Sequence, residues 1–124
     1  MPRKLIKSFE YAGAGAKHAL KTQRNLWIHF ASGLAVLAAA VYCKVSLLEF
    51  AVLLLAIFGV MVTEMINTAI EELVNILSPQ HRLEAALAKN VAAGAVLLAA
   101  LGAIVIGMVI FFPQLEWIWN YLFC

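Results

Sequence analysis

Three polar side chains interrupt a long apolar stretch: Glu64, Asn67 and Glu71, spaced i, i+3 and i+7. On a helix this spacing puts all three on one face. Fourteen uncharged residues, Phe50 to Thr63, precede Glu64, and Met65 and Ile66 follow it. An ionisable group at membrane depth is costly to hold in hydrocarbon, so it faces a bundle interior and does work there. Glu71 and Glu72 lie about 10 Å further along the axis, where Glu72 reads as a solvated helix end. The segment beyond them carries Arg82 and Lys89. Two carboxylates and an amide near two cations suit the joint handling of an anion and a hard metal ion. Mg²⁺ takes a few carboxylate oxygens together with phosphate oxygens and water, and Lys serves as a point charge on phosphate. That is the chemistry of phosphoryl transfer. The sequence holds no P-loop and no soluble-kinase signature set, so a nucleotide site has to be built from helix ends and side chains.

The elements that position these residues follow from the composition. The chain has 124 residues, 65% hydrophobic and 13% charged, whereas a soluble domain is typically about a quarter charged. Mean hydropathy is +0.93. Leu26 to Cys43, Phe50 to Thr63 and Val91 to Leu115 carry no charge. The first and third runs match or exceed the roughly 30 Å of a bilayer core, and the second does so only if its helix continues through Glu64. The expectation is an all-α membrane protein in one domain, with spans over 26–43, 48–74 and 91–113. Residues 1–24 form an interfacial helix and 115–124 an outer-interface tail with Trp117, Trp119 and Tyr121 as aromatic anchors.

Basic residues stay on the cytoplasmic side. Six of the nine (Arg3, Lys4, Lys7, Lys17, Lys21, Arg24) precede the first span, Arg82 and Lys89 lie between the second and third, and only Lys44 falls between the first and second. The N-terminus is therefore expected inside and the C-terminus outside, in a bacterial cytoplasmic membrane. The start does not read as a cleaved signal peptide, because its apolar run begins only at Leu26 and more spans follow. Leu5, Phe9, Ala12, Ala16 and Ala19 share one face of the first segment and Lys17, Lys21 and Arg24 another, the pattern of a helix on an anionic membrane surface. Small residues at 31, 35 and 39 and at 95, 99, 103 and 107 allow close helix approach. Three spans enclose little interior, so a homo-oligomer is expected, with no nucleic-acid partner. Cys43 and Cys124 read as free thiols.

The run from Glu64 to Asn75, EMINTAIEELVN, continues from Ser78 to Ala100 as SPQHRLEAALAKNVAAGAVLLAA. Together with SFEYAGAGAKHALKTQRNLWIH at Ser8 to His29, it strongly resembles the prokaryotic diacylglycerol kinase and undecaprenol kinase family, over nearly the whole chain. Detail around the first span looks more like the Gram-positive undecaprenol kinase branch. The resemblance implies a homotrimer with sites between subunits at the membrane interface, using ATP and Mg²⁺ to phosphorylate a lipid alcohol. It implies Glu64 as the base that takes the hydroxyl proton, Asn67 as its companion on the same face, and Glu71 as a Mg²⁺ ligand. Lys89 then corresponds to the phosphate-binding Lys and Tyr11 to a nucleotide-contacting aromatic. Lys4 occupies a basic position of the family, and Gln80, Arg82 and Asn90 lie in its nucleotide-contacting region. Of the histidines, His29 matches the family's Ile-His and reads as a structural hydrogen-bonding residue, and His18 and His81 as solvated.

Three departures stand out. The family usually carries Glu, a second metal ligand, where this chain has Gln23, and Asp where it has Asn75 and Asn90. The chain contains no Asp. An amide oxygen can coordinate Mg²⁺ but brings no negative charge, so metal affinity and turnover should weaken. The leading expectation is an active lipid kinase. The alternatives are a silent relative that binds lipid or nucleotide without turnover, and an ion- or proton-conducting bundle. The last is disfavoured because the carboxylates cluster at one side of the membrane.

Overall fold

The computed structural model describes residues 2–124 as four helices: α1 Pro2–Thr22, α2 Arg24–Tyr42, α3 Leu47–Leu77 and α4 Leu83–Phe123. Helices α2, α3 and α4 are long and apolar enough to cross a membrane, and the chain is an integral membrane protein. At about 1.5 Å per residue, α3 is about 46 Å long and α4 about 60 Å, so both extend beyond the roughly 30 Å apolar layer. Helix α4 runs unbroken through Pro113, so the aromatic segment is a continuation of the third span's helix.

The breaks have local causes. Gln23 is extended (φ −111°, ψ 107°) between α1 and α2. Beside it, Trp27 Nε1 donates to Leu20 O at 2.5 Å, tying α1 to the start of α2. Helix α2 ends at Tyr42; Lys44, two residues on, takes a φ of 55° that turns the chain away, and Val45 N donates back to Ala40 O at 3.2 Å. Helix α3 starts with a capping box: Ser46 Oγ accepts from Glu49 N at 3.1 Å while Glu49 Oε1 accepts from Ser46 N at 3.0 Å. Two of the otherwise orphaned donors at the helix start are thereby satisfied. His81, with φ 55°, makes the turn from α3 into α4.

Helix α3 is the centre, packed against α4 along much of its length and against α2 on another side. A cluster of Ala40, Leu53 and Ile110, backed by Val36, Phe50 and Ile106, holds the three spans together at the end away from Glu64. Within the chain, α2 buries Leu26, Gly33 and Ala40, so Ala31, Ala35 and Ala39 are left on an exposed face. At Gly33 α2 lies close on α3: a Cβ there would stand 2.7 Å from Ile57 Cγ2. Gly33→Val is therefore expected to weaken the fold by about 1–3 kcal/mol, read as a lower Tm in detergent, with Ile57→Ala restoring part of the loss. An unchanged Tm would mean that the helices part there without strain.

Candidate functional site

The polar face of α3 is buried where it carries Glu64, Asn67 and Thr68. The Glu64 side chain is 3% exposed, and its Oε2 lies 3.9 Å from His29 Nε2 on α2. Thr68 Oγ1 donates to the Glu64 carbonyl at 2.9 Å, so the hydroxyl is satisfied within the helix and leaves the carboxylate free. One turn on from Glu64, Asn67 Nδ2 donates to Glu71 Oε1 at 3.4 Å. The other end of that amide, Asn67 Oδ1, is buried with no hydrogen-bond partner. A buried acceptor without a donor is costly, and an incoming hydroxyl proton or cation would satisfy it.

At the end of α3, Lys89 Nζ donates to Asn75 Oδ1, linking α4 to α3. The partner is a neutral amide, so the ammonium charge is not cancelled by it. Lys89 and Asn90 line a cleft of about 250 Å³ with Val74, Ser78, His81 and Ala86. His81, expected to be solvated, is exposed and forms one wall of this cleft. Between the spans, a larger apolar groove of about 750 Å³ is lined by Gly33, Ile57, Ala103, Gly107 and Phe111, with His29 also in its wall.

Helix α1 meets this region through its last turns. His18 Nε2 and Glu72 Oε1 are 2.7 Å apart: both are exposed, as expected, and they also bond to each other across α1 and α3. The two are 54 residues apart and both about half exposed, so neither residue type nor spacing announces the contact. Gln23 is half-buried as the N-cap of α2 and makes no side-chain capping bond. Lys4, Tyr11, Gln80 and Arg82 are exposed. Among the described residues, none of these four side chains is hydrogen-bonded or ion-paired to α3. His29 is the residue that the sequence understated. Its position at the start of the first span was a signal, but its approach to Glu64 becomes visible only once α2 and α3 are packed.

The Glu71 carboxylate and Asn67 Oδ1 are oxygen donors of the kind a hard cation such as Mg²⁺ takes, and such an ion needs few ligands from the protein; here Asn67 turns its amide nitrogen to Glu71, so its oxygen would have to turn toward the ion. Among the described residues no three His, Cys, Asp or Glu side chains converge on one point, so substrate oxygens and water would have to complete any such shell.

Fold and site together define a multi-span helical membrane protein with a carboxylate–amide centre at one end of its spans. Comparison with known proteins gives the family. The model of the prokaryotic diacylglycerol kinase family matches residues 10–111. The chain is 44% identical over 112 residues to a diacylglycerol kinase of Synechocystis sp., covering 90% of this chain and 64% of that protein. It is 38% identical over 112 residues to an undecaprenol kinase of Bacillus subtilis, covering 90% of this chain and 91% of that one. The chain belongs to the prokaryotic diacylglycerol kinase family.

Proposed function

We propose that the chain is a lipid kinase that transfers the γ-phosphoryl group of ATP to a membrane alcohol, undecaprenol or diacylglycerol. The observation that carries this reading is the buried Glu64 carboxylate next to an Asn67 oxygen without a partner, in a chain of this family. In that role Glu64 takes the proton of the lipid hydroxyl as its oxygen attacks the γ-phosphorus and ADP leaves. Lys89 neutralises charge that builds on the phosphoryl oxygens. Glu71 and Asn67 would hold Mg²⁺, which when bound would supply positive charge against that of the phosphates. The nucleotide base and ribose fall to exposed groups, Lys4 and Tyr11 on α1 and Gln80, Arg82 and Asn90 around the turn into α4.

The basic residues favour an N-terminus and site on the cytoplasmic face of a bacterial inner membrane. Helix α1 then lies on that surface, where its Leu5, Ile6 and Phe9, all exposed in the single chain, enter the headgroup region. Apolar and small side chains left uncovered on α2 and α4 support association of copies, and a homotrimer is the assembly that the family resemblance implies.

A second reading is favoured by Gln23, Asn75 and Asn90, three amides where the family carries carboxylates: a relative that binds its ligands without efficient turnover. Transfer of labelled γ-phosphate from MgATP to undecaprenol and to diacylglycerol, by purified protein in mixed micelles, separates the two. Product with either lipid establishes the kinase and ranks its substrates. No product with either, alongside retained nucleotide or lipid binding, establishes the silent relative. In the same assay Gln23→Glu is expected to raise activity several-fold and lower the Mg²⁺ concentration needed for half-maximal rate, since a carboxylate adds the charge that the amide lacks. No gain would mean that Gln23 does not face the metal.

A further inference from the structure

We infer that His29 is the positioning residue of Glu64, a role that rests on the reading of Glu64 as the base. The Glu64 side chain is buried, and among the described residues His29 is the one basic side chain within 4 Å of its carboxylate. At 3.9 Å the Nε2···Oε2 separation is beyond direct hydrogen-bond length. It is within the range that water spans or that closes when substrate binds, as catalytic hydrogen bonds often do. Among the described residues no other side chain hydrogen-bonds or ion-pairs with the carboxylate: Thr68 bonds the Glu64 backbone, and Asn67 donates to Glu71 instead. An imidazole on Oε2 leaves Oε1 to receive the hydroxyl proton. The packing of α2 on α3 sets this distance. His29 and Gly33 are one turn apart on α2, Ile57 and Glu64 two turns apart on α3, and these antiparallel faces meet where Gly33 admits Ile57. His29 also lines the apolar groove, so it stands between the space open to a lipid chain and the carboxylate that would meet the alcohol.

A groove wall and a positioning residue leave different kinetic traces. A wall residue changes the lipid KM and spares the rate at saturation. A residue that orients the base changes kcat and spares both KM values. His29→Ala is expected to lower kcat by about 10- to 100-fold, the scale of a misplaced reacting group, with KM for MgATP and for lipid unchanged. His29→Gln, whose amide nitrogen reaches near the Nε2 position, is expected to recover part of the loss.

An independent readout is the ¹⁵N spectrum of the histidine rings in detergent, with the His29 signals identified by their loss in His29→Gln. Glu64→Gln is expected to move the His29 signals and leave those of His18 and His81 in place. A raised lipid KM with kcat intact, or His29 signals that ignore Glu64→Gln, would overturn the assignment. If the wild-type protein transfers no phosphate to either lipid, the kinase reading is what is lost, and the spectrum then decides the His29–Glu64 link by itself.

Discussion

Replacing Glu64 with Gln is expected to lower lipid phosphorylation by about 10²- to 10⁴-fold, the usual contribution of a positioned general base, while the protein keeps its helix content and Tm. The argument rests on shape and burial. Gln has the size of Glu, so the 3%-exposed position stays filled. The Thr68 hydroxyl keeps its bond, because it is made to the backbone carbonyl of residue 64 and not to the carboxylate. What goes is the group proposed to take the proton. A purely structural Glu64 makes the opposite forecast, since its loss would disturb folding and activity together. Initial rates at saturating lipid and MgATP, paired with thermal melts in the same detergent, distinguish these outcomes. An unchanged rate would remove Glu64 from the base role outright.

The second large effect is expected at Lys89. Lys89→Met should reduce the rate by about 10²- to 10³-fold, the scale of losing one preorganised charge at a developing anion. Part of this should show as a higher KM for MgATP, since ground-state phosphates carry charge as well. Met keeps most of the side-chain length and apolar stem, so the packing of α4 on α3 is largely retained. Lys89→Arg keeps the charge in a different shape and should retain more activity than Met. Asn75 sharpens the expectation. A carboxylate at that position would neutralise the ammonium, whereas the Asn75 amide oxygen orients it and leaves its charge available to a phosphate. Equal rates for Lys89→Met and wild type would place the phosphate elsewhere.

The fold was legible where hydrophobicity speaks by itself. The uncharged runs from Leu26, Phe50 and Val91 locate α2, α3 and α4, and the need to extend the middle run through Glu64 is met by an α3 that continues to Leu77. Less legible was the far end of α4. The aromatic stretch from Leu115 reads as an outer-interface tail, and the spacing does not say whether it is helical; Pro113 costs the helix one backbone donor and crowds a carbonyl one turn back, yet the helix continues to Phe123. In the site, periodicity on one helix was readable and contact between helices was not. Glu64, Asn67 and Glu71 share a face by arithmetic. That His18 meets Glu72, that Lys89 reaches Asn75 and that His29 approaches Glu64 depends on how α1, α2 and α4 settle against α3, which no local spacing encodes. The orphaned Asn67 oxygen is of the same kind, because an unmet acceptor is defined only by what packs around it.

The two ends of the bundle are fastened differently. Away from the site, Ala40, Leu53 and Ile110 close a dry apolar layer across all three spans, and separating them would open a void with no partner for its walls. At the site end, the cross-links include side-chain bonds such as His18 to Glu72 and Lys89 to Asn75, each worth about 1 kcal/mol net and readily exchanged for water. The spans are thus locked at one end by apolar packing and tied at the other by polar bonds that water can replace, so the site end is the one that can loosen without breaching the apolar layer.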